Sequence, residues 1–77
     1  MASSEQKKPL ALTKRELEVL LWSSKGLSAR DVGQMLDIAK RTVDEHVQTA
    51  ARKLGAANKT EAVATALREG LIDGKPL

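Results

Sequence analysis

The 77-residue chain has no cysteine, phenylalanine or tyrosine, and only one tryptophan and one histidine. Each scarcity removes a class of function. Without cysteine there is no disulfide and no thiolate metal site, which suits a reducing, cytoplasmic setting. His46 alone cannot build a metal cluster, so neither a metal nor another cofactor is expected. Trp22, the sole aromatic residue, cannot supply the platforms on which single-strand and RNA binders stack bases. No apolar run approaches the roughly 18 residues that span a bilayer, and the polar stretch 1–8 is no signal peptide, so no membrane partner is expected. No nucleophile stands with a base and an orienting group, which argues against an enzyme.

The length allows one domain at most, burying about 60% of its unfolded surface. A net charge of +3 permits a polyanionic partner without demanding one. The distribution says more. Lys7, Lys8, Lys14 and Arg15 cluster at the front, partly offset by Glu16 and Glu18, while Lys40, Arg41, Arg52, Lys53 and Lys59 bracket the segment 40–54.

Helix punctuation recurs along the chain. Thr13 with Glu16, Ser28 with Asp31, and Asn58 with Glu61 each set a capping side chain three residues before an acid. Leu12 and Leu27, just ahead of the first two caps, can staple onto Leu17 and Val32. Gly26 and Gly55 stand where helices stop in a left-handed conformation. These marks predict a floppy arm over 1–11, helices near 14–25, 29–36, 40–54 and 59–70, and a frayed tail beyond Leu71, a domain of 12–72 in all.

Each helix has an apolar stripe: Leu17, Leu20 and Leu21; Val32, Met35 and Leu36; Val43, Val47, Ala50 and Leu54; Ala62, Val63, Ala66 and Leu67. Asp37-Ile38-Ala39 joins the second helix to the third, with Ile38 as an inward plug. The third helix carries a second face, on which Arg41, Asp44, Glu45, Gln48 and Arg52 present long hydrogen-bonding tips. Two short helices joined by three residues, the second amphipathic, make a helix-turn-helix pattern.

In order along the chain, Leu12-Thr13-x-Arg15-Glu16-x-Glu18-Val19-Leu20, Gly26-Leu27-Ser28, Ile38-x-x-x-Thr42-Val43-x-x-His46, Lys53-Leu54-Gly55 and Thr60-Glu61-Ala62-Val63 resemble the LuxR/GerE-type DNA-binding domain. Trp22 and the run 55–60 lean toward its quorum-sensing branch. The likeness covers about residues 10–72. It implies an all-α, four-helix helix-turn-helix domain of a bacterial transcription regulator, acting at the nucleoid in the cytoplasm. The third helix would enter the major groove of double-stranded DNA, and the fourth would often form a symmetric dimer contact. Positions matching Asp44, Glu45 and Gln48 face bases in the family. Those matching Thr13, Arg41, Thr42, Lys53 and Lys59 lie near phosphates. Only about eleven residues precede the likeness, too few for a signal pocket, so no small-molecule ligand is expected within this chain.

Two departures stand out. Ala39 replaces the family's usual Ser or Thr at the start of the third helix, forgoing a cap worth roughly 0.5–2 kcal/mol unless Asp37 reaches the exposed amides. Gly33 stands where the family mostly has alanine, at a cost of roughly 0.5–1 kcal/mol inside a helix, tolerated where the second and third helices approach closely.

Gln48 can pair bidentately with adenine, and Arg41 or Arg52 with guanine or phosphate. Asp44 and Glu45 have two readings. Either they accept from cytosine and weaken indiscriminate binding, or they form salt bridges at helical spacing, with Arg41, Gln48 and Arg52 as neighbours. Thr13, Arg15, Lys53 and Lys59 are expected to hold the DNA backbone, with Lys40, Arg41, Thr42 and Arg52 completing the interface. His46 flanks the apolar stripe and is expected to pack; Trp22 is expected to be partly buried. On the fourth helix Thr60, Ala64, Thr65 and Arg68 form either a solvated face or a small contact for a weak homodimer. An alternative class is a protein-interaction module that pairs with a larger LuxR-type regulator and silences it. RNA polymerase is a further expected partner, as for relatives.

Overall fold

The computed structural model describes residues 11–74; the arm ahead of Ala11 and residues 75–77 lie outside it. The described residues form four helices and no strand: α1 (Lys14–Ser24), α2 (Ala29–Leu36), α3 (Lys40–Leu54) and α4 (Lys59–Arg68).

The expected caps start three of them. Thr13 Oγ1 accepts from the Glu16 amide at 3.1 Å while Glu16 Oε1 accepts from the Thr13 amide at 2.9 Å, a reciprocal box. Ser28 Oγ accepts from the Asp31 amide, and Asn58 Oδ1 from the Glu61 amide. The Glu61 carboxylate turns instead to the Ala57 amide, one residue earlier than a box requires. α3 starts without a side-chain cap at Ala39. Asp37 sits with φ of 59° at the C-terminal end of α2.

All four helices close with one bond type, from an amide just past a left-handed residue to a carbonyl five residues back. The pairs are Leu27 to Trp22, Ile38 to Gly33, Ala56 to Ala51, and Leu71 to Ala66. Three of the left-handed residues are glycines; the fourth is Asp37. Gly70 takes that role after α4, which therefore ends at Arg68 rather than at 70.

Two apolar clusters meet along α3. Leu20, Ala50, Ala51, Ala62 and Ala66 join α1, α3 and α4, with Leu12, Leu54, Val63 and Ile72 against them. Val19, Val32, Val43 and Val47 join α1, α2 and α3, with Trp22, Leu27, Leu36 and Ile38 against them. The alanines of the first cluster let α3 and α4 approach closely, and each buried valine or leucine contributes about 1.5–3 kcal/mol. α3 is thus clamped from both flanks, which fixes the direction of its remaining face.

Three expectations are corrected here. Met35 is 52% and Leu67 38% exposed, so neither belongs to the core. The buried arc of α2 centres on Val32, Gly33 and Leu36, and that of α4 on Ala62 and Ala66; at about 100° per residue Met35 and Leu67 fall more than a quarter-turn away. The tail after Leu71 is tied down as far as it is described, since Ile72 packs on the core and the Asp73 carbonyl accepts from Lys25 Nζ at 3.1 Å. At Gly33, by contrast, the close approach is as expected: a Cβ there would lie 2.6 Å from the Ile38 carbonyl oxygen, where the turn folds back on α2.

Candidate nucleic-acid interface

α3 is held by Val43, Val47, Ala50 and Ala51, so its opposite side points to solvent. Arg41, Glu45, Gln48 and Arg52 are all exposed there. Their offsets of four, seven and eleven confine them to an arc of about 60° at 100° per residue. They form one file of donors and acceptors along a helix narrow enough for a major groove. Asp44 lies at the edge of the arc, half-buried, and accepts from Lys40 Nζ at 2.8 Å. The salt-bridge reading of Asp44 therefore holds, with Lys40 as partner in place of Arg41. Glu45 has no ion pair among the described residues. Thr42 and His46 are half-buried on the flank.

Past the C-terminal half of α3, an open groove of about 320 Å³ runs to the α3–α4 turn. Val47 and Ala51 lie at its base, and Gln48, Arg52, Asn58 and Lys59 line it. Lys59 and Arg52 thus converge beside the file on α3. A phosphate strand following the groove edge would meet both cations.

The remaining expected backbone contacts sit in a different setting. Lys53 Nζ donates to Glu16 Oε1 at 2.8 Å and to the Ala11 carbonyl at 3.3 Å. The Glu16 side chain is 5% exposed and that of Lys53 21%. Burial pushes the Glu16 carboxyl up, but the Lys53 ammonium and the Thr13 amide and hydroxyl outweigh it and hold it below the ordinary carboxylate value. Thr13 spends its hydroxyl on the cap, and Arg15 pairs with Glu18 at 3.2 Å. Arg15, Lys40 and Lys53 are thus each balanced by an acid, whereas Arg41, Arg52 and Lys59 have no ion pair among the described residues. The Glu16–Lys53 clasp had no sequence signal, because its partners stand 37 residues apart and only the α1–α3 packing joins them.

On α4, Thr60, Ala64 and Arg68 are exposed and Thr65 is half-buried, off their side. Leu67, 38% exposed, lies on the Thr60–Ala64 side of the helix, and Leu71, beyond its end, is 44% exposed. No group of three metal-binding side chains occurs among the described residues. No helix there is long and apolar enough to cross a membrane.

Residues 10–66 match the family described as bacterial regulatory proteins, luxR family. The transcriptional activator protein BjaR1 of Bradyrhizobium diazoefficiens is 55% identical over 62 residues, which are 80% of this chain and 26% of that protein. The quorum sensing-dependent transcriptional regulator RpaR of Rhodopseudomonas palustris is 52% identical over 61 residues, 79% of this chain and 25% of that protein. The chain therefore spans about a quarter of the length of these curated relatives, which are regulators and not enzymes. A solved structure of the transcription factor GerE superposes with a TM-score of 0.79 at 30% identity, covering 83% of this chain and 96% of that one. The four-helix expectation is borne out in element order and in fold. With a family match running from the entry to α1 almost to the end of α4, on a scaffold shared with GerE, this chain belongs to the luxR family of bacterial regulatory proteins.

Proposed function

We propose that this chain reads double-stranded DNA by laying α3 in the major groove, with Glu45 and Gln48 toward base edges and Arg41, Arg52 and Lys59 toward the backbone. One observation carries this reading: four exposed polar tips occupy a single arc of a 15-residue helix whose opposite side is clamped in the core. Such a helix keeps its tips in register, which is what base readout requires. The relatives' names supply the context. RpaR is described as quorum sensing-dependent and BjaR1 as an activator. This chain would serve as the DNA-reading part of such a regulator in the bacterial cytoplasm, with RNA polymerase as a downstream partner.

Two copies would meet through α4. Thr60, Ala64 and Arg68, extended by Leu67, offer a self-complementary strip suited to an isologous contact. The strip is too small for a tight dimer, so pairing is strongest on DNA, where half-sites one helical turn apart add to it.

The test is duplex binding followed by fluorescence anisotropy. Replacing Gln48 with alanine should weaken binding to a selected duplex by about tenfold and leave a random duplex unaffected. Equal loss on both duplexes, or on neither, refutes base reading by α3.

A further inference from the structure

The two acids of α3, alike in sequence, are in different states in the fold. Asp44 is engaged by Lys40 at 2.8 Å and sits at the edge of the reading arc. Glu45 is exposed on that arc, one turn from Arg41, and forms no ion pair among the described residues. In a groove walled by phosphates an unsatisfied carboxylate is repelled, so Glu45 must either find a hydrogen-bond donor or oppose binding.

The major groove offers two amino donors, cytosine N4 and adenine N6. Adenine places its N7 acceptor beside N6, and the second oxygen of a carboxylate would face that lone pair. Cytosine presents N4 next to a C–H edge, with nothing to repel the second oxygen. Guanine and thymine present O6, N7 or O4 acceptors, all unfavourable to Glu45. The amide of Gln48, donor and acceptor together, suits adenine's N6 and N7. Glu45 and Gln48 are three residues apart, about 4.5 Å along the helix axis, close to the roughly 3.4 Å step between stacked base pairs.

Resting on the groove-reading function above, we propose that Glu45 is a specificity-determining residue. It takes the amino group of a cytosine, beside an adenine taken by Gln48. The preferred site then contains a G·C pair next to an A·T pair, read by this two-residue unit, while Asp44 stays with Lys40 and reads nothing.

Selection of bound fragments from a random duplex pool, using the 77-residue chain and its variants, tests this directly. The unsubstituted chain should return adjacent cytosine and adenine positions. Glu45→Gln should convert the cytosine preference to adenine, by about tenfold in relative affinity, and leave the other positions as they were. Glu45→Ala should make that position indifferent. Asp44→Asn should change no base preference. Circular dichroism confirms that each variant is helical, and exposed Glu45 has no packing role whose loss would unfold the chain. Unaltered base preference in both Glu45 variants that still bind overturns the proposal alone. A shift produced by Asp44→Asn in place of Glu45→Gln overturns it equally. If the unsubstituted chain selects no sequence at all, the groove-reading function falls with it.

Discussion

Glu16 shows how much one side chain can organise in a small core. It closes the cap of α1, meets an ammonium from the last turn of α3, and is almost wholly withdrawn from water. Because its folded-state value lies below its ordinary one of 4.5, it contributes stability that is present above that value and lost as pH falls through the depressed folded value. Glu16→Gln should cost about 2 kcal/mol at pH 7, less than the roughly 3–5 for a fully buried pair, because Lys53 retains a path to water. Urea denaturation across pH 7 to 3 should show the two proteins converging as Glu16 becomes protonated. A gap that stays constant with pH would assign the loss to packing instead of charge. The sequence showed Thr13 and Glu16 as a cap, since that bond is local. It was silent about Lys53, since only the docking of α1 on α3 brings the two charges together.

Helix starts were legible because a capping side chain acts within three residues. Helix faces were less so. Met35 and Leu67 match apolar spacing, yet each lies beyond the arc that the neighbouring helices cover, and the width of that arc is set by packing. The turn between α2 and α3 combines both lessons. Gly33 stood out as unusual in sequence, and the approach of the Ile38 carbonyl to 2.6 Å of its missing Cβ gives the cause. At the other end of the turn, Ala39 already has N-cap geometry, with φ of −68° and ψ of 150°, but nothing to cap with. Ala39→Ser should therefore stabilise the chain by about 1 kcal/mol, raising the melting temperature by roughly 4–8 °C. Thermal unfolding followed by circular dichroism measures this. No gain would mean that the first amides of α3 are already satisfied by other groups.

For the molecule as a whole, the count of cations overstates the charge available to DNA. Six of the basic residues assigned to the interface from sequence divide evenly, with Arg15, Lys40 and Lys53 against acids and Arg41, Arg52 and Lys59 without an ion pair among the described residues. The sequence shows where cations lie along the chain but not which of them folding has already neutralised. If only the second set displaces counterions, log affinity should fall with log salt at a slope of about −3 per protomer. Arg52→Gln should flatten that slope by about one unit, measured by anisotropy between 50 and 200 mM salt. Lys53→Met should weaken the fold while leaving the slope unchanged, since its charge is already balanced by Glu16. A slope flattened by Lys53→Met as much as by Arg52→Gln would mean that DNA draws the ammonium out of its clasp. The buried carboxylate of Glu16 would then be left without its cation in the bound state, and acid should favour the complex by protonating it. Salt and pH titrations of one variant pair therefore decide whether the clasp stays closed on DNA.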